Sequence, residues 1–257
     1  MVSYKTREEV GLIREGAQIL GKAHGEVAKW IKPGVDTKKL DKIAEEYIRD
    51  NGCTPSFKDY KGYPYTLCVS VNEQVVHGMP GTYQLQEGDI VSVDCGVYWK
   101  GFNSDSAYAY PVGNVKDEAK KLLKATKESL YKGIQASLCG NRMGDIGYSI
   151  QTFIEKSGYS VVRELVGHGI GKQLHEAPEV PNYGRRGKGI KLLEGLVIAI
   201  EPMVNAGKKN IVQEKDGWTI RTADRSLSAH YEHTIVIWEE GPEILTTFEY
   251  IEDIVKF

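Results

Sequence analysis

The sequence predicts an α+β domain made of two similar halves, a single unit of 257 residues divided at about residue 110. Two internal matches and one placement of charge predict it. Gly34 falls on Gly140 at an offset of 106 residues, and with it Leu40 on Ile146, Tyr47 on Phe153, Ile48 on Ile154 and Gly52 on Gly158. The run from Leu85 to Asp94 falls on Leu192 to Glu201 at an offset of 107. In each copy a turn leads into a β-rich strand that ends on a carboxylate. A shorter echo sets His77-Gly78-Met79 against His168-Gly169-Ile170, at the different offset of 91. Near-constant offsets are the signature of a repeated unit. Each half reads helix, helix, strands. Two such halves need a shared sheet with helices on one face, a pseudo-twofold axis, and the acidic strand ends facing each other across it.

The elements follow in order. Glu8 to Ile31 is a helical stretch, and an amphipathic helix stopped by Gly52 comes next. Asp117 to Leu138 and the segment stopped by Gly158 repeat that pair. Asp89 to Tyr110 reads as two strands joined at Trp99-Lys100-Gly101. A turn centred between Trp99 and Lys100 sets Asp94 opposite Asp105, with a slip of one residue left open. In the second half, Val197 to Ile200 is a strand that ends at Glu201, and Ala229 to Trp238 is a β-rich run containing Glu232.

Composition narrows the class. Hydrophobic residues make up 41% and charged residues 26%, as in ordinary globular chains. The formal net charge of −2 gives no basic surplus for sequence-specific nucleic-acid binding, although the pairs Lys38-Lys39, Lys120-Lys121 and Lys208-Lys209 can touch an anionic surface. Cys53, Cys68, Cys95 and Cys139 form no CxxC pair, which excludes finger-type zinc and fits free thiols in a reducing compartment. The first residues are charged and lack the apolar core of a secretory signal. No run of ~18 apolar residues marks a membrane span. A cytoplasmic monomer is the expectation.

The carboxylates carry the chemistry. Like charges facing each other on paired strands are destabilising, and Asp is poor in strands. Two solvated carboxylates on an edge would be harmless. The apolar neighbours of Asp94 and Asp105, and the repetition of the pattern at Glu201 and Glu232, disfavour that reading. Four carboxylates on core strands remain ionised together only beside a cation; otherwise their pKa values rise. His168 lies in Val166-Gly167-His168-Gly169-Ile170-Gly171, where glycines would let the backbone turn tightly and present the ring. Four carboxylates and an imidazole exceed what one zinc needs. They suit two bridged divalent ions, of the hard or borderline kind: Mn, Fe(II), Co or Zn. His24 is expected to be exposed on its helix. His230 and His233 flank Glu232, either orienting it or merely occupying strand faces. Cys68 has no recognisable histidine partner and reads as packing.

At these residues the chain resembles the type I methionine aminopeptidases of the pita-bread fold. The resemblance covers nearly the whole chain. It rests on Cys68-Val69-Ser70-Val71-Asn72-Glu73 and His77-Gly78-Met79-Pro80, then Val93-Asp94 and Asp105-Ser106. Further on it rests on Gly167-His168-Gly169-Ile170-Gly171, His175-Glu176-Ala177-Pro178, Ile200-Glu201-Pro202-Met203 and Tyr231-Glu232-His233-Thr234. It implies that Asp94 binds one ion, that His168 and Glu201 bind the other, and that Asp105 and Glu232 bridge. It also implies that His77 and His175 contact the substrate, and that Tyr60, Tyr63, Cys68 and Trp218 wall a pocket for methionine. Phe57 and Leu174 depart from close relatives, which often carry a smaller side chain and a larger ring there. The implied reaction removes the initiator methionine of nascent chains at the ribosome when the second residue is small. Glu201 is the general-base candidate, with His77 and His175 assisting. The 33 residues from His168 to Glu201 leave no room for the insertion of type II enzymes. The chain is also expected to lack the N-terminal domain of the prolidases. An Xaa-Pro peptidase, or a metal-free binding protein on the same fold, are the rival readings.

Overall fold

A computed structural model describes residues 2–255. Four long helices pack on a curved nine-stranded sheet whose paired strands all run antiparallel. The helices are α1 (Arg7–Ala28), α2 (Thr37–Asp50), α3 (Asp117–Ala136) and α4 (Met143–Lys156). Their order bears out the helix–helix–strands reading of each half. Local chemistry starts the first two. Thr6 and Glu9 form a reciprocal capping box on α1, and Asp36 accepts the Lys39 amide at 2.8 Å on α2. Helix α1 buries Val10, Ile13, Ala17, Leu20 and Val27 at helical spacing. Its glycines let it sit close to its neighbours: a Cβ on Gly21 would lie 2.8 Å from the Thr247 methyl.

The sheet strands are β1 (Thr54–Pro55), β2 (Leu67–Val71), β3 (Ile90–Trp99), β4 (Phe102–Pro111), β5 (Gly167–Gly169), β6 (Glu176–Val180), β7 (Val197–Ile200), β8 (Glu232–Trp238) and β9 (Gly241–Ile244). They are ordered β1-β3-β4-β8-β7-β5-β6, with β2 on β3 and β9 on β8. The order is symmetrical about the β4–β8 contact. Each half contributes one acidic strand to that contact and a second beside it, so Asp94 and Asp105 on one side answer Glu201 and Glu232 on the other. The contact itself rests on only two register pairs, Glu232 with Ala107 and His233 with Ser106.

The β3–β4 register differs from the sequence expectation. Trp99 pairs with Phe102, so the turn is the two-residue Lys100-Gly101, with φ of 47° and 92°. Positive φ at both positions matches the twist of the flanking strands. Asp94 therefore faces Ala107, and Asp105 faces Gly96. The aspartates are diagonal neighbours rather than directly opposed. A shift of two preserves side-chain parity, so both still point to the same face. The other face of the hairpin, with Val93, Cys95, Val97 and Tyr108, joins Leu20 and Ala23 of α1 in the main core.

His24 is a second departure. It is buried, and its Nε2 lies 2.9 Å from the Ser106 carbonyl oxygen of β4. Gly16, where a Cβ would lie 3.1 Å from Trp99 Cβ and 3.6 Å from Ser104 Oγ, lets α1 approach the hairpin closely enough for the ring to bond backbone rather than water. Burial depresses its pKa from 6.5 to about 4. The unfolded chain thus binds a proton at pH 5 that the folded chain refuses. The stability from this group is complete above pH 6.5 and is lost as pH falls toward 4. A gap of that size is worth about 3 kcal/mol at most. Urea melts of metal-free wild type and His24→Gln at pH 7 and pH 5 test this. The change in stability from pH 7 to pH 5 should be clearly less favourable in wild type than in the variant; equal changes would mean that His24 does not titrate there.

Candidate metal centre and active site

The sheet positions five ligand-type side chains around one cavity of about 380 Å³. Asp94 lies mid-strand on β3, Asp105 mid-strand on β4, and His168 on the short β5. Glu201 follows the last residue of β7, and Glu232 opens β8. The expected run from Ala229 to Trp238 is in fact two strands. Ser228–His230 pairs with Met203–Asn205 in a separate small sheet, and β8 begins only at Glu232. Ile200 pairs with His233 and Met203 with His230, so Glu201-Pro202 and Tyr231-Glu232 lie opposite each other in a shared break in the ladder. That break delivers two carboxylates to the cavity at one point.

Asp105, His168 and Glu232 bring one ligand atom each within 4.8 Å of one another, as do Glu201, His230 and Glu232. His168 Nε2 stands 4.0 Å from Asp105 Oδ2 and 3.7 Å from Glu201 Oε1. Its Nδ1–H donates to the Gly169 carbonyl at 2.9 Å, which leaves the Nε2 lone pair facing the carboxylates. The flanking glycines provide space rather than a turn. Neither Gly167 nor Gly169 has a positive φ, but a Cβ on either would lie 2.3 Å from a carbonyl oxygen, of Ala199 or Ala177.

The electrostatics of this cluster are unfavourable without a cation. Burial pushes Asp94 and Glu201 up to about 7. Burial and then the neighbouring carboxylates push Asp105 and Glu232 well above the usual range. Asp94 Oδ1 and Glu232 Oε1 are enclosed without any hydrogen-bond partner. Buried polar atoms are normally satisfied. Anionic oxygens with open lone pairs, next to an imidazole nitrogen, are a donor set that fits divalent cations.

Every substrate-site residue singled out in the sequence lines this same cavity: Phe57, Tyr60, Tyr63, Cys68, His77, Leu174, His175 and Trp218. His175 Nδ1 is 2.9 Å from the Tyr60 hydroxyl, and the two rings stack with centroids 5.2 Å apart. Tyr60 sits in a tight loop in which Asp59, Lys61 and Gly62 all have positive φ. Tyr63 packs edge-on to Trp218 at 5.1 Å. Cys68 is paired with Asp94 across β2 and β3. Burial and that aspartate push its thiol well above 9. It is a neutral packing group, not a nucleophile. His77 adopts φ 58°, a conformation costly for a residue with a Cβ and one that clusters at functional sites. Its likeness to His168 does not extend to local structure, since His168 is on a strand and His77 follows one. Burial lowers His77 to about 4, and burial with the nearby His168 lowers His175 to about 3, so both rings are neutral at pH 7.

The profile of metallopeptidase family M24 matches residues 11–239. The chain belongs to metallopeptidase family M24. This M24 chain is 52% identical over 246 residues to the methionine aminopeptidase of Clostridium perfringens, across 96% of this chain and 99% of that protein. It is 51% identical over the same length to methionine aminopeptidase 1 of Bacillus subtilis, again across 96% and 99%. The crystal structure of methionine aminopeptidase from Thermotoga maritima superposes with a TM-score of 0.95 at 43% identity, covering 96% of this chain and all of that one. The family is metal-dependent, in line with the cluster.

Sequence reasoning left some of the M24 site unassigned. Lys61, Val76, Glu164, Leu165, Val166 and Met203 also line the cavity. Strand parity was the available signal for one of them, because Met203 is two residues from Glu201. The same parity separates the two open histidines. His230 shares the face of Glu232, whereas His233 points away to Thr246 Oγ1 at 2.7 Å.

The raised carboxylates have a measurable consequence. In the metal-free chain the fold resists an ionisation that the unfolded chain completes near pH 4. The carboxylates' contribution to metal-free stability should therefore fall as pH rises from 4 through 7, against the opposite contribution of the buried histidines. Bound metal displaces the retained protons, so calorimetry at pH 7 in buffers of different ionisation enthalpy should register release of roughly one proton or more. Asp105→Asn should lower both the metal content and the proton count. Binding of full metal by that variant, with no change in proton release, would contradict the assignment.

Proposed function

We propose that this chain is a dinuclear metal-dependent aminopeptidase that removes the initiator methionine of nascent polypeptides when the second residue is small. The observation that carries the reading is a single cavity with a ligand cluster at one side and an apolar wall of Tyr60, Tyr63, Cys68, Leu174 and Trp218 at the other. The named relatives, at 52% and 51% identity, support it. Asp94, Asp105, His168, Glu201 and Glu232 would hold two divalent ions, with Asp105 and Glu232 bridging. When bound, such ions supply a water of lowered pKa and polarise the scissile carbonyl. Mn, Fe(II), Co and Zn all suit the donor set.

The chain's own residues do the rest. Glu201 accepts the proton of the attacking water. Tyr60 donates its hydroxyl proton to His175 Nδ1, which keeps a hydrogen on Nε2. That Nε2–H donates to the oxygen on which negative charge develops. His77 holds the peptide and helps the leaving amine gain its proton. Methionine suits the wall because its thioether adapts to irregular aromatic surfaces and makes sulfur–ring contacts. The two halves, about 1–110 and 111–257, act as a single catalytic domain. The substrates are nascent N-termini, so the site of action is the cytoplasm, at the ribosome, for a monomer. No described helix is long and apolar enough to cross a membrane, and the net charge of −2 gives no general attraction for nucleic acid.

Two measurements test this reading. His175→Ala should lower kcat by roughly 100-fold with little change in KM, since its contact strengthens in the transition state. Unchanged kcat with a raised KM would reduce it to a binding group. A panel of Met-Xaa-Gly peptides should show efficient cleavage for Gly, Ala, Ser, Thr, Pro and Val at the second position and rejection of Lys, Arg, Phe and Leu. Norleucine and leucine should be accepted in place of methionine at reduced rates, because a methylene distinguishes ligands by only ~1–3 kcal/mol. Fast release of Met before Arg or Phe would overturn the proposed specificity. Preferential cleavage of Xaa-Pro peptides would favour the rival peptidase.

A further inference from the structure

His230 is the one imidazole at the carboxylate cluster to which neither the repeat nor the family resemblance gives a role. It is 1% exposed, and its Nε2 has no hydrogen-bond partner. That nitrogen lies 3.6 Å from Glu201 Oε2 and 3.8 Å from Glu232 Oε2. Glu201 is divided between two rings: its Oε1 faces His168 Nε2 at 3.7 Å, and its Oε2 faces His230. The arrangement is anchored through the backbone. His230 pairs with Met203, two residues beyond Glu201, and its N–H donates to Ser92 Oγ at 3.2 Å. Ring and carboxylate thus come from chain segments that are bonded neighbours, separated only by the break in the ladder.

We propose that His230 is a positioning residue whose Nε2–H donates to Glu201 Oε2, leaving Oε1 free to face the metals beside His168. The inference rests on the proposed role of Glu201 as metal ligand and base. The contact is a few tenths of an ångström longer than a hydrogen bond, a gap that a small rotation of either side chain closes. A carboxylate that both holds a cation and receives a proton can rotate between its two oxygens. A donor on one oxygen removes that freedom. Such outer partners of metal-binding carboxylates typically govern affinity or turnover by 10- to 100-fold. Glutamine places an amide N–H at a similar reach and can substitute for the ring as a donor. Its amide oxygen could also bind Mn(II), so the imidazole count is what separates a positioning ring from a ligand.

The test compares wild type, His230→Ala and His230→Gln in the full chain. Calorimetric titration with Mn(II) reads metal affinity without any substrate, so it stands even if methionine release fails in the wild type. Pulsed electron paramagnetic resonance of each protein, loaded with one equivalent of Mn(II), counts the coordinated imidazoles. His230→Ala should bind Mn(II) roughly 10- to 100-fold more weakly and lose kcat on a Met-Ala peptide, with KM nearly unchanged. His230→Gln should recover most of both, and wild type and both variants should show a single imidazole. A metal-free melt controls for misfolding, and the glutamine variant carries the test if the alanine variant is unstable. Two coordinated imidazoles in wild type would overturn the proposal and make His230 a ligand. Wild-type affinity and turnover in His230→Ala, or a glutamine variant as impaired as the alanine one, would overturn it equally.

Discussion

Four carboxylates enclosed in one cavity constrain everything around them. Lost hydration pushes each proton affinity upward, with repulsion between neighbours adding to it at Asp94, Asp105 and Glu232, and the chain answers with geometry rather than with internal cations. Among the described residues, no lysine or arginine forms an ion pair with Asp94, Asp105, Glu201 or Glu232; the only side-chain nitrogens within 4.0 Å of their carboxylates in such pairs are those of His168 and His230. Neutralisation is left to ions from solution, so folding and metal loading share one free-energy cycle. The large apolar core under the helices is what allows the fold to tolerate that cluster.

The sheet serves this constraint. Counterpart strands meet where β4 and β8 share only two register pairs. Two strands from each half converge there, and each brings a carboxylate to the same face. The opposite face is packed by α1, and side-chain alternation keeps the two environments apart. Continuous pairing in the same register would have set Glu201 directly opposite Glu232 along a ladder. The break at Glu201-Pro202 and Tyr231-Glu232 aims both inward.

Much of this was legible in the sequence. The offsets of 106 and 107 exposed the repeated halves because the stop glycines and acidic strand ends sit at equivalent positions in each. Periodicity gave all four long helices. That Asp94, Asp105, His168, Glu201 and Glu232 share one cavity was legible because acidic residues among β-branched neighbours have no structural reason to be there. The register was misjudged by two because Trp99 is compatible with either turn or strand, and only the positive φ of Lys100 decides between them. The burial of His24 is not visible in the sequence because an amphipathic pattern does not record how closely a helix rich in small residues will dock. The break at Tyr231 was invisible because both sides of it are equally β-rich. Convergence of Tyr60, Leu174 and Trp218 is a property of the fold, and local sequence carries no distance between them; only the family likeness brought them together.

The loop bearing Tyr60 has a further consequence. Three of its residues hold a handedness that L-amino acids avoid, so the loop keeps its shape only while its contacts hold it. One of those contacts joins the Tyr60 hydroxyl to His175 Nδ1 at 2.9 Å. Two residues that line the cavity, Tyr60 and Tyr63, and the hydroxyl that touches His175 therefore belong to one short segment. On the proposed function, a cargo that leaves the wall poorly filled would also leave the imidazole less firmly oriented. Discrimination between correct and incorrect N-termini would then be expressed in turnover as well as in residence, from one strained turn of backbone.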